Sequence, residues 1–116
     1  MKSDLDYINH IYGEILFLRE EFNKINKDSF LINNVLKRAF VRSIEIIGEA
    51  SNKLSDSFKK KYPDPEWRKF AATRNHLVHG YFIVDYDIVW DLVENKIPTL
   101  YLQIAEIIEK EKTLFD

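Results

Sequence analysis

Apolar residues recur every three or four positions along most of the chain, a spacing that predicts amphipathic helices. The first predicted helix runs from Ser3 or Asp4, both favourable helix-capping residues, to about Ile25. Its apolar residues form one continuous stripe: Leu5, Ile8, Tyr12, Ile15, Leu18, Phe22 and Ile25. Residues 26–29 then have the composition of a turn that leads into a new helix.

The second predicted helix, from about Ser29 to Ser55 or Ser57, is apolar on more than one side. Its apolar positions are Ile32, Val35, Leu36, Ala39, Phe40, Ile44, Ile46, Ile47, Ala50 and Leu54. A helix that is apolar over so wide an arc is typically surrounded by other elements. We therefore expect it to lie at the centre of the fold.

A line of charged residues follows the same helix: Arg38, Arg42, Glu45 and Glu49, spaced by four, three and four positions. This spacing keeps them on one face with opposite charges within pairing distance. Such a line is commonly an exposed, salt-bridged stripe that contributes little to stability. The alternative is that it borders a polar cleft or a dimer seam, where Gly48 would allow another helix to approach closely.

Asp64 followed by Pro65 is typical of a helix start, because the first helical position needs no amide hydrogen. We predict a third helix from Pro65 to Gly80, a residue type that commonly ends helices. Its buried residues would be Trp67, Phe70, Ala71 and Leu77. Residues 81–84 would form a short connector.

The last predicted helix begins at Asp85 or Asp87. Pro98 interrupts its apolar pattern, but the pattern resumes at once without a glycine, which predicts one long helix kinked at Pro98. We expect residues 109–116 to fray.

These elements, together with only three glycines and three prolines, predict an all-α fold. We expect a single domain over residues 1–116, built as an up-down helical bundle of four main helices with the last one bent.

Composition excludes several classes of protein. The chain has no cysteine, which rules out disulfides, zinc–thiolate sites and a cysteine nucleophile. No apolar run approaches the roughly 18 residues of a membrane span, and the acidic start lacks the apolar core of a secretory signal. We therefore expect a soluble cytoplasmic protein that does not associate with a membrane.

Charge is distributed unevenly. Residues 59–79 hold six basic and two acidic residues, a net charge of +4, in a chain whose net charge is −2. An acidic protein is a poor candidate for broad, charge-driven binding of nucleic acid. The basic segment is either a solvated face or the surroundings of a site.

At and just beyond the end of this segment lie the groups best able to bind anions or transfer protons: Arg74, Asn75, His76, His79 and Tyr81. On a helix, Asn75 and His79 would share a face, so the amide could orient the imidazole. Arg74 would stand about 140° round the helix from His79. Either its long side chain reaches round, or another element or a second chain completes the site.

His76 and His79 are three positions apart, and no carboxylate lies between Glu66 and Asp85, so we expect no metal ion and no other cofactor. Metal-free cleavage of RNA fits better. Histidine can serve as base and acid near neutral pH, and arginine can stabilise a charged phosphorane. The residues alone leave open that Arg74 and His79 are structural and bind neighbouring carbonyls.

The motif resembles the Arg-x4-His-x-Tyr signature of HepT-like proteins, which belong to the HEPN superfamily of helical ribonucleases. The similarity covers nearly the whole chain and is weakest in the first helix. It includes Arg42 to Ala50, Pro63 to Trp67, the aspartate before Val89 and Trp90, and Pro98 with Leu100.

The resemblance implies a homodimer in which two copies of the motif meet in a cleft. It also implies a ribonuclease toxin, with RNA as substrate and a minimal nucleotidyltransferase of the MntA type as antitoxin. Arg74 would bind and stabilise the scissile phosphate, His79 would act as base or acid, and Asn75 would orient His79. Tyr81 would be the residue that the antitoxin adenylylates.

Three further residues are expected to be accessory. Arg42 and Glu49 match positions of the family pattern, and His76 lies at a variable place inside the motif. An alternative function is a non-catalytic subunit that binds the substrate of the nucleotidyltransferase. The acidic composition suits a protein partner at least as well as RNA.

Overall fold

The computed structural model describes residues 2–73, 77–79 and 83–115, without the side chains of residues 78, 79, 83 and 113–115. Within these ranges the chain forms seven helices and one two-stranded hairpin. The predicted all-α class is therefore confirmed.

Helix α1 (Asp4–Phe22) matches the first predicted helix and ends three residues earlier than expected. The hydroxyl of Ser3 accepts a hydrogen bond from the amide of Asp6, and the Asp6 carboxylate accepts one from the amide of Ser3. The buried face consists of Ile8, Ile11, Ile15 and Leu18. Their spacing of three or four confirms that one apolar stripe faces the core.

The prediction of a single second helix is wrong, because the chain forms α2 (Lys27–Leu31) and α3 (Asn34–Lys53). Asn33 separates them: it has φ −97° and ψ 94°, and its side chain accepts a hydrogen bond from an amide in the first turn of α3. This break leaves Ile32 and Val35, both expected in the apolar arc, 83% and 81% exposed.

Helix α3 ends close to the expected position because Ser55 starts the separate helix α4 (Asp56–Lys61). The Ser55 hydroxyl accepts a hydrogen bond from the amide of Phe58. The amide and hydroxyl of Ser55 also donate to the Asp4 carboxylate at 2.8 and 2.7 Å. The start of α4 is thereby fastened to the start of α1.

The third predicted helix is correct in part: the chain is helical at residues 67–71, 73 and 77, but it is extended at residues 78 and 79. Helix α5 (Trp67–Ala71) has only five residues, and β1 (Val78–His79) pairs antiparallel with β2 (Ile83–Val84). The β-branched residues of both strands favour extended backbone. The expected connector therefore contains β2, and the expected helix end at Gly80 lies outside the described residues.

Helices α6 (Tyr86–Asn95) and α7 (Ile97–Phe115) meet at Lys96, whose backbone stays right-handed with φ −103° and ψ −37°. The interruption predicted near Pro98 is present, but the chain forms two helices joined by one residue instead of the single kinked helix that we expected. Proline lies in the first turn of α7, where its missing amide leaves no helical bond unmade. Asp85 caps α6 through its side chain, as expected.

The expected fraying of the C-terminal segment is wrong, because α7 is helical to Phe115. Glu111 in this segment is 8% exposed. Its carboxylate accepts hydrogen bonds from the Tyr62 hydroxyl at 2.6 Å and the Lys61 ammonium at 3.0 Å. These bonds hold the end of α7 against α4.

The core lies between the four long helices α1, α3, α6 and α7. Helix α1 packs against α3 and α7, and α3 also packs against α5, so α3 is central as predicted. The ring of Phe30 lies 4.9 Å from Phe40 and 5.2 Å from Trp90, which joins α2, α3 and α6. Among the described residues, every helix is too short or too polar to span a bilayer.

Candidate functional site

Most of the predicted site residues lie outside the part of the chain that the structure describes: Arg74, Asn75, His76 and Tyr81. His79 is described by its backbone alone. It lies in β1 and pairs with Ile83, so the expectation that it ends a helix and shares a helical face with Asn75 is wrong. The chemical roles of these residues stay predictions.

Buried residues hold the chain on both sides of residues 74–76. Thr73 is 6% exposed, and its hydroxyl donates a hydrogen bond to the Lys69 carbonyl at 2.8 Å. Leu77 is 1% exposed, and its carbonyl accepts a hydrogen bond from the amide of Asp85 at 2.9 Å. Residues 74–76 therefore lie between one residue that bonds to α5 and one that bonds to the cap of α6.

The charged line on α3 forms ion pairs, as expected of a salt-bridged stripe. The Arg42 guanidinium lies 3.9 Å from the Glu45 carboxylate and 3.8 Å from the Glu49 carboxylate. The side chains of Arg42 and Glu49 are 61% and 64% exposed, so solvent screens their attraction and the pairs stabilise the fold little. Because these ion pairs are exposed and weak, either side chain can leave its partner and bind a ligand instead.

The same line also borders a polar hollow. Glu45 and Glu49 line a cavity of about 230 Å³ together with Gly48, Phe70 and Ala71, between α3 and α5. Both interpretations of the line, a salt-bridged stripe and the border of a cleft, are thus supported. The suggestion that it forms a dimer seam stays a prediction.

Gly48 determines how closely α5 approaches α3. A Cβ atom at this position would lie 2.6 Å from the carbonyl oxygen of Phe70, well inside van der Waals contact. The close approach predicted for Gly48 is therefore confirmed. It places the end of α5, from which the chain continues to Arg74, against the polar face of α3.

Glu66 reduces the positive charge of this region. Its carboxylate lies 2.7 Å from the Lys69 ammonium and 3.2 Å from the Lys96 ammonium. The hydrogen bond from Lys69, followed by that from Lys96, lowers the pKa of Glu66. Lys69, one of the cations counted in the basic segment, is therefore already neutralised.

Sequence reasoning missed residues that position α5. The Trp67 indole donates a hydrogen bond to the Tyr62 carbonyl at 2.8 Å, while the Tyr62 hydroxyl binds Glu111. No local pattern links Tyr62 to Glu111, which are 49 positions apart. Thr73 did carry a local signal, because a threonine in a helix often bonds to the carbonyl four residues earlier.

Among the described residues, no cluster of three or more histidine, aspartate or glutamate side chains could hold a metal ion. The side chains of His76 and His79 are outside that region. Metal independence therefore stays a prediction about the motif.

The fold and the motif define a class of protein: a small helical bundle whose arginine–histidine motif begins after a short helix and ends in a hairpin. The family model described as "Ribonuclease HepT-like" matches residues 11–107. The chain therefore belongs to the HepT-like ribonuclease family, as its motif indicated.

Several relatives carry names that agree with this family. A protein of Caldanaerobacter subterraneus subsp. tengcongensis, named as a candidate RNase, is 43% identical over 97% of this chain and 100% of its own length. A candidate ribonuclease HepT of Thermococcus cleftensis is 36% identical over 85% of this chain and 90% of its own. A candidate RNase of Methanocaldococcus jannaschii is 41% identical over 75% and 72%. No solved structure matches the chain.

Proposed function

We propose that the protein is a metal-independent endoribonuclease toxin that cleaves RNA with its Arg-x4-His motif. The observation that carries this proposal is the family match over residues 11–107, which contains the whole motif from Arg74 to Tyr81. The names of the relatives, candidate RNases from three organisms, agree with it.

The reaction would be an intramolecular transesterification at one phosphate of the RNA. A base removes the proton of the 2′-hydroxyl, whose oxygen attacks the phosphorus, and the bond from phosphorus to the 5′-oxygen breaks. An acid returns a proton to that oxygen, which leaves a 2′,3′-cyclic phosphate and a 5′-hydroxyl. His79 suits the base or the acid, Asn75 would orient it, and Arg74 would stabilise the phosphorane charge.

A homodimer would supply both proton-transfer groups. One protomer has a single His79, and a cleft between two protomers would bring a second copy. The polar hollow beside Glu45 and Glu49, close to the end of α5, supports a site of this kind. In it, Arg42, Glu49 and His76 would be accessory, since none of them belongs to the Arg-x4-His pair.

Control would come from a minimal nucleotidyltransferase antitoxin acting on Tyr81. The Tyr81 oxygen would bond to the α-phosphorus of ATP, pyrophosphate would leave, and the hydroxyl proton would pass to solvent. The attached AMP carries a negative phosphodiester two residues from His79. It would occupy the phosphate position through the charge-assisted contacts that otherwise hold RNA.

The cleavage test uses purified protein and RNA in EDTA. We expect fragments with 2′,3′-cyclic phosphate ends, and we expect Arg74→Ala and His79→Ala each to reduce the rate by roughly 100-fold or more. Matched controls are His10→Ala on α1 and Lys24→Ala just after α1, two exposed residues that should leave the rate unchanged. Cleavage that survives His79→Ala, or that needs a divalent metal, would contradict the mechanism.

The control test mixes the protein with its nucleotidyltransferase and ATP and measures intact mass. Additions in steps of one AMP should disappear in Tyr81→Phe, and the modified protein should no longer cleave RNA. Tyr7→Phe on α1 is the control and should accept the same additions. A Tyr81→Phe protein that cleaves RNA yet is still neutralised would disprove control through Tyr81.

The net charge of −2 favours one alternative, a non-catalytic subunit that presents substrate to the nucleotidyltransferase. Expression of the chain alone separates the two. Growth arrest that requires His79 supports the toxin, whereas harmless expression together with absence of RNA cleavage supports the binding subunit.

A further inference from the structure

The basic segment divides into cations that are neutralised and cations that are not. Lys61 binds Glu111 at 3.0 Å, and Lys69 binds Glu66 at 2.7 Å. Within the described part of the chain, Lys59, Lys60 and Arg68 make no ion pair. In the described part of the basic segment, the cations without an ion pair thus lie on the last turn of α4 and the first turn of α5.

Two of these cations line one groove. A hollow of about 600 Å³ lies between α3, α4 and α5, with Asn52 and Lys59 on one wall and Arg68 and Ala71 on the other. Asp56 and Glu66 also line it, and Glu66 is bound by Lys69 and Lys96. The lining of the groove therefore holds three cations, Lys59, Arg68 and Lys69, against two carboxylates, a net charge of +1.

The groove leads toward the predicted catalytic motif. It shares Asn52 and Ala71 with the smaller hollow beside Gly48. Ala71 is the last residue of α5, and the chain continues from it through the buried Thr73 to Arg74. An RNA strand bound in the groove would therefore lie next to the segment that leads to Arg74, the first residue of the motif.

The chemistry of the lining favours the backbone of a nucleic acid over its bases. Trp67, the aromatic residue of the groove, is 6% exposed, and its indole donates to the Tyr62 carbonyl. It offers no face for a base to stack on, and stacking is the usual source of affinity for unpaired bases. The exposed Arg68 guanidinium and the Lys59 ammonium instead suit phosphate oxygens.

We propose that this groove, with Lys59 and Arg68 as its anion-binding residues, holds the phosphates of the RNA strand that flanks the cleaved bond. The proposal rests on the proposed ribonuclease function and adds a second binding surface outside the motif. Binding there is independent of sequence and depends on salt, because each phosphate neutralised on a single strand contributes about 0.7 to the slope of log affinity against log salt.

The experiment measures binding separately from cleavage. A fluorescent single-stranded oligouridylate is titrated with His79→Ala protein, with and without Lys59→Ala and Arg68→Ala together, over a range of salt concentrations. We expect the double change to lower the salt slope by about 1.4 and to weaken binding roughly 25-fold at about 0.1 M salt. Lys24→Ala with Lys112→Ala removes the same charge from exposed positions just after α1 and on α7 and should leave binding unchanged.

In the protein that retains His79, the groove variant should raise KM for RNA without changing kcat or the cleaved positions. A Lys59→Gln and Arg68→Gln variant, with helical content checked by circular dichroism, should behave in the same way. RNA binding equal to that of the Lys24 and Lys112 control overturns the groove assignment. So does unchanged RNA binding combined with lost binding of the nucleotidyltransferase, since the groove would then serve a protein.

Failure of the groove and failure of the ribonuclease function are distinguishable. If the unmodified protein cleaves RNA and the groove variant binds RNA normally, only the groove proposal is wrong. If the unmodified protein binds RNA with a salt slope that the groove variant lowers, but cleaves nothing, the groove proposal holds and the ribonuclease proposal is wrong.

Discussion

At the scale of single residues, Tyr62 connects three parts of the molecule. Its hydroxyl donates to Glu111 on α7, and its carbonyl accepts from the indole of Trp67 at the start of α5. Lys61 adds a second bond to the same carboxylate. The position of α5, and with it the start of the motif, therefore depends on a carboxylate near the end of the chain.

Tyr62→Phe tests this connection. The substitution leaves the buried Glu111 carboxylate without its shortest hydrogen bond, so we expect a loss of about 1–3 kcal/mol in the free energy of unfolding, measured in urea. Tyr7→Phe is the control: Tyr7 is also partly buried, and its hydroxyl makes no hydrogen bond in the described region. Equal losses in both variants would show that the Tyr62 bond contributes nothing specific.

The same carboxylate predicts a dependence on pH. The hydrogen bond from Tyr62, opposed by burial and aided by Lys61, lowers the pKa of Glu111 from its usual 4.5. Because the pKa is lower in the folded state, the ionised carboxylate stabilises the fold above about pH 4.5, and this contribution is lost as the pH falls through the folded-state pKa.

We therefore expect Glu111→Gln to be less stable than the unmodified protein at neutral pH, with the difference shrinking below pH 4.5. Urea denaturation at several pH values measures it. Glu109→Gln, at a side chain 74% exposed, should show a small difference at every pH. If the loss of stability in Glu111→Gln were equally large at acidic pH, the role of the ionised carboxylate would be contradicted.

At the scale of elements, the α3–α5 seam determines where the motif starts. Helix α5 has five residues and no side-chain cap at its start, and a helix so short is not stable alone. Its position depends on contact with α3 at Gly48 and on the indole bond of Trp67.

Two glycine substitutions separate packing from helix propensity. Gly48→Ala places a methyl group 2.6 Å from the Phe70 carbonyl oxygen, so we expect a loss of about 1–3 kcal/mol and weaker RNA cleavage. Gly13→Ala, with nothing within 4 Å of the added methyl, should gain roughly 0.5–1 kcal/mol from helix propensity. Thermal unfolding followed by circular dichroism compares the stabilities of the two variants. A Gly48→Ala protein as stable as Gly13→Ala would show that the contact between α3 and α5 accommodates the added methyl group without cost.

At the scale of the whole molecule, the proposed reaction needs a base and an acid, whereas each chain supplies one His79. The charged line of α3 is exposed, and it borders a hollow next to α5. Both features are compatible with a second copy of the chain covering this side of the bundle.

We expect light scattering to give about twice the chain mass of 13.8 kDa. Mixing the unmodified protein with an excess of inactive His79→Ala protein should then lower the cleavage rate per unmodified chain, because a mixed dimer holds a single His79 and lacks one of the two proton-transfer groups. A monomer that cleaves RNA at micromolar concentration would disprove the shared cleft.

Local sequence patterns were sufficient to predict those helices whose ends and buried faces depend on nearby residues. The apolar stripe and the Ser3 cap define α1, Asp85 caps α6, and the break near Pro98 follows from a missing amide. The motif from Arg74 to Tyr81, together with the matching segments elsewhere in the chain, also indicated the HepT-like family, which the family match confirms. Periodicity, capping and a short signature are readable because each involves residues within a few positions of one another.

The apolar pattern missed two local breaks, since Asn33 divides a run that looked continuous and His79 lies in a strand paired with Ile83. Tertiary structure decided the rest. Glu111 keeps the end of α7 in place through Tyr62, 49 positions away. The neutralisation of Lys61 likewise depends on Glu111, 50 positions away. Contacts between distant residues form only when the helices pack, so the local pattern does not contain them.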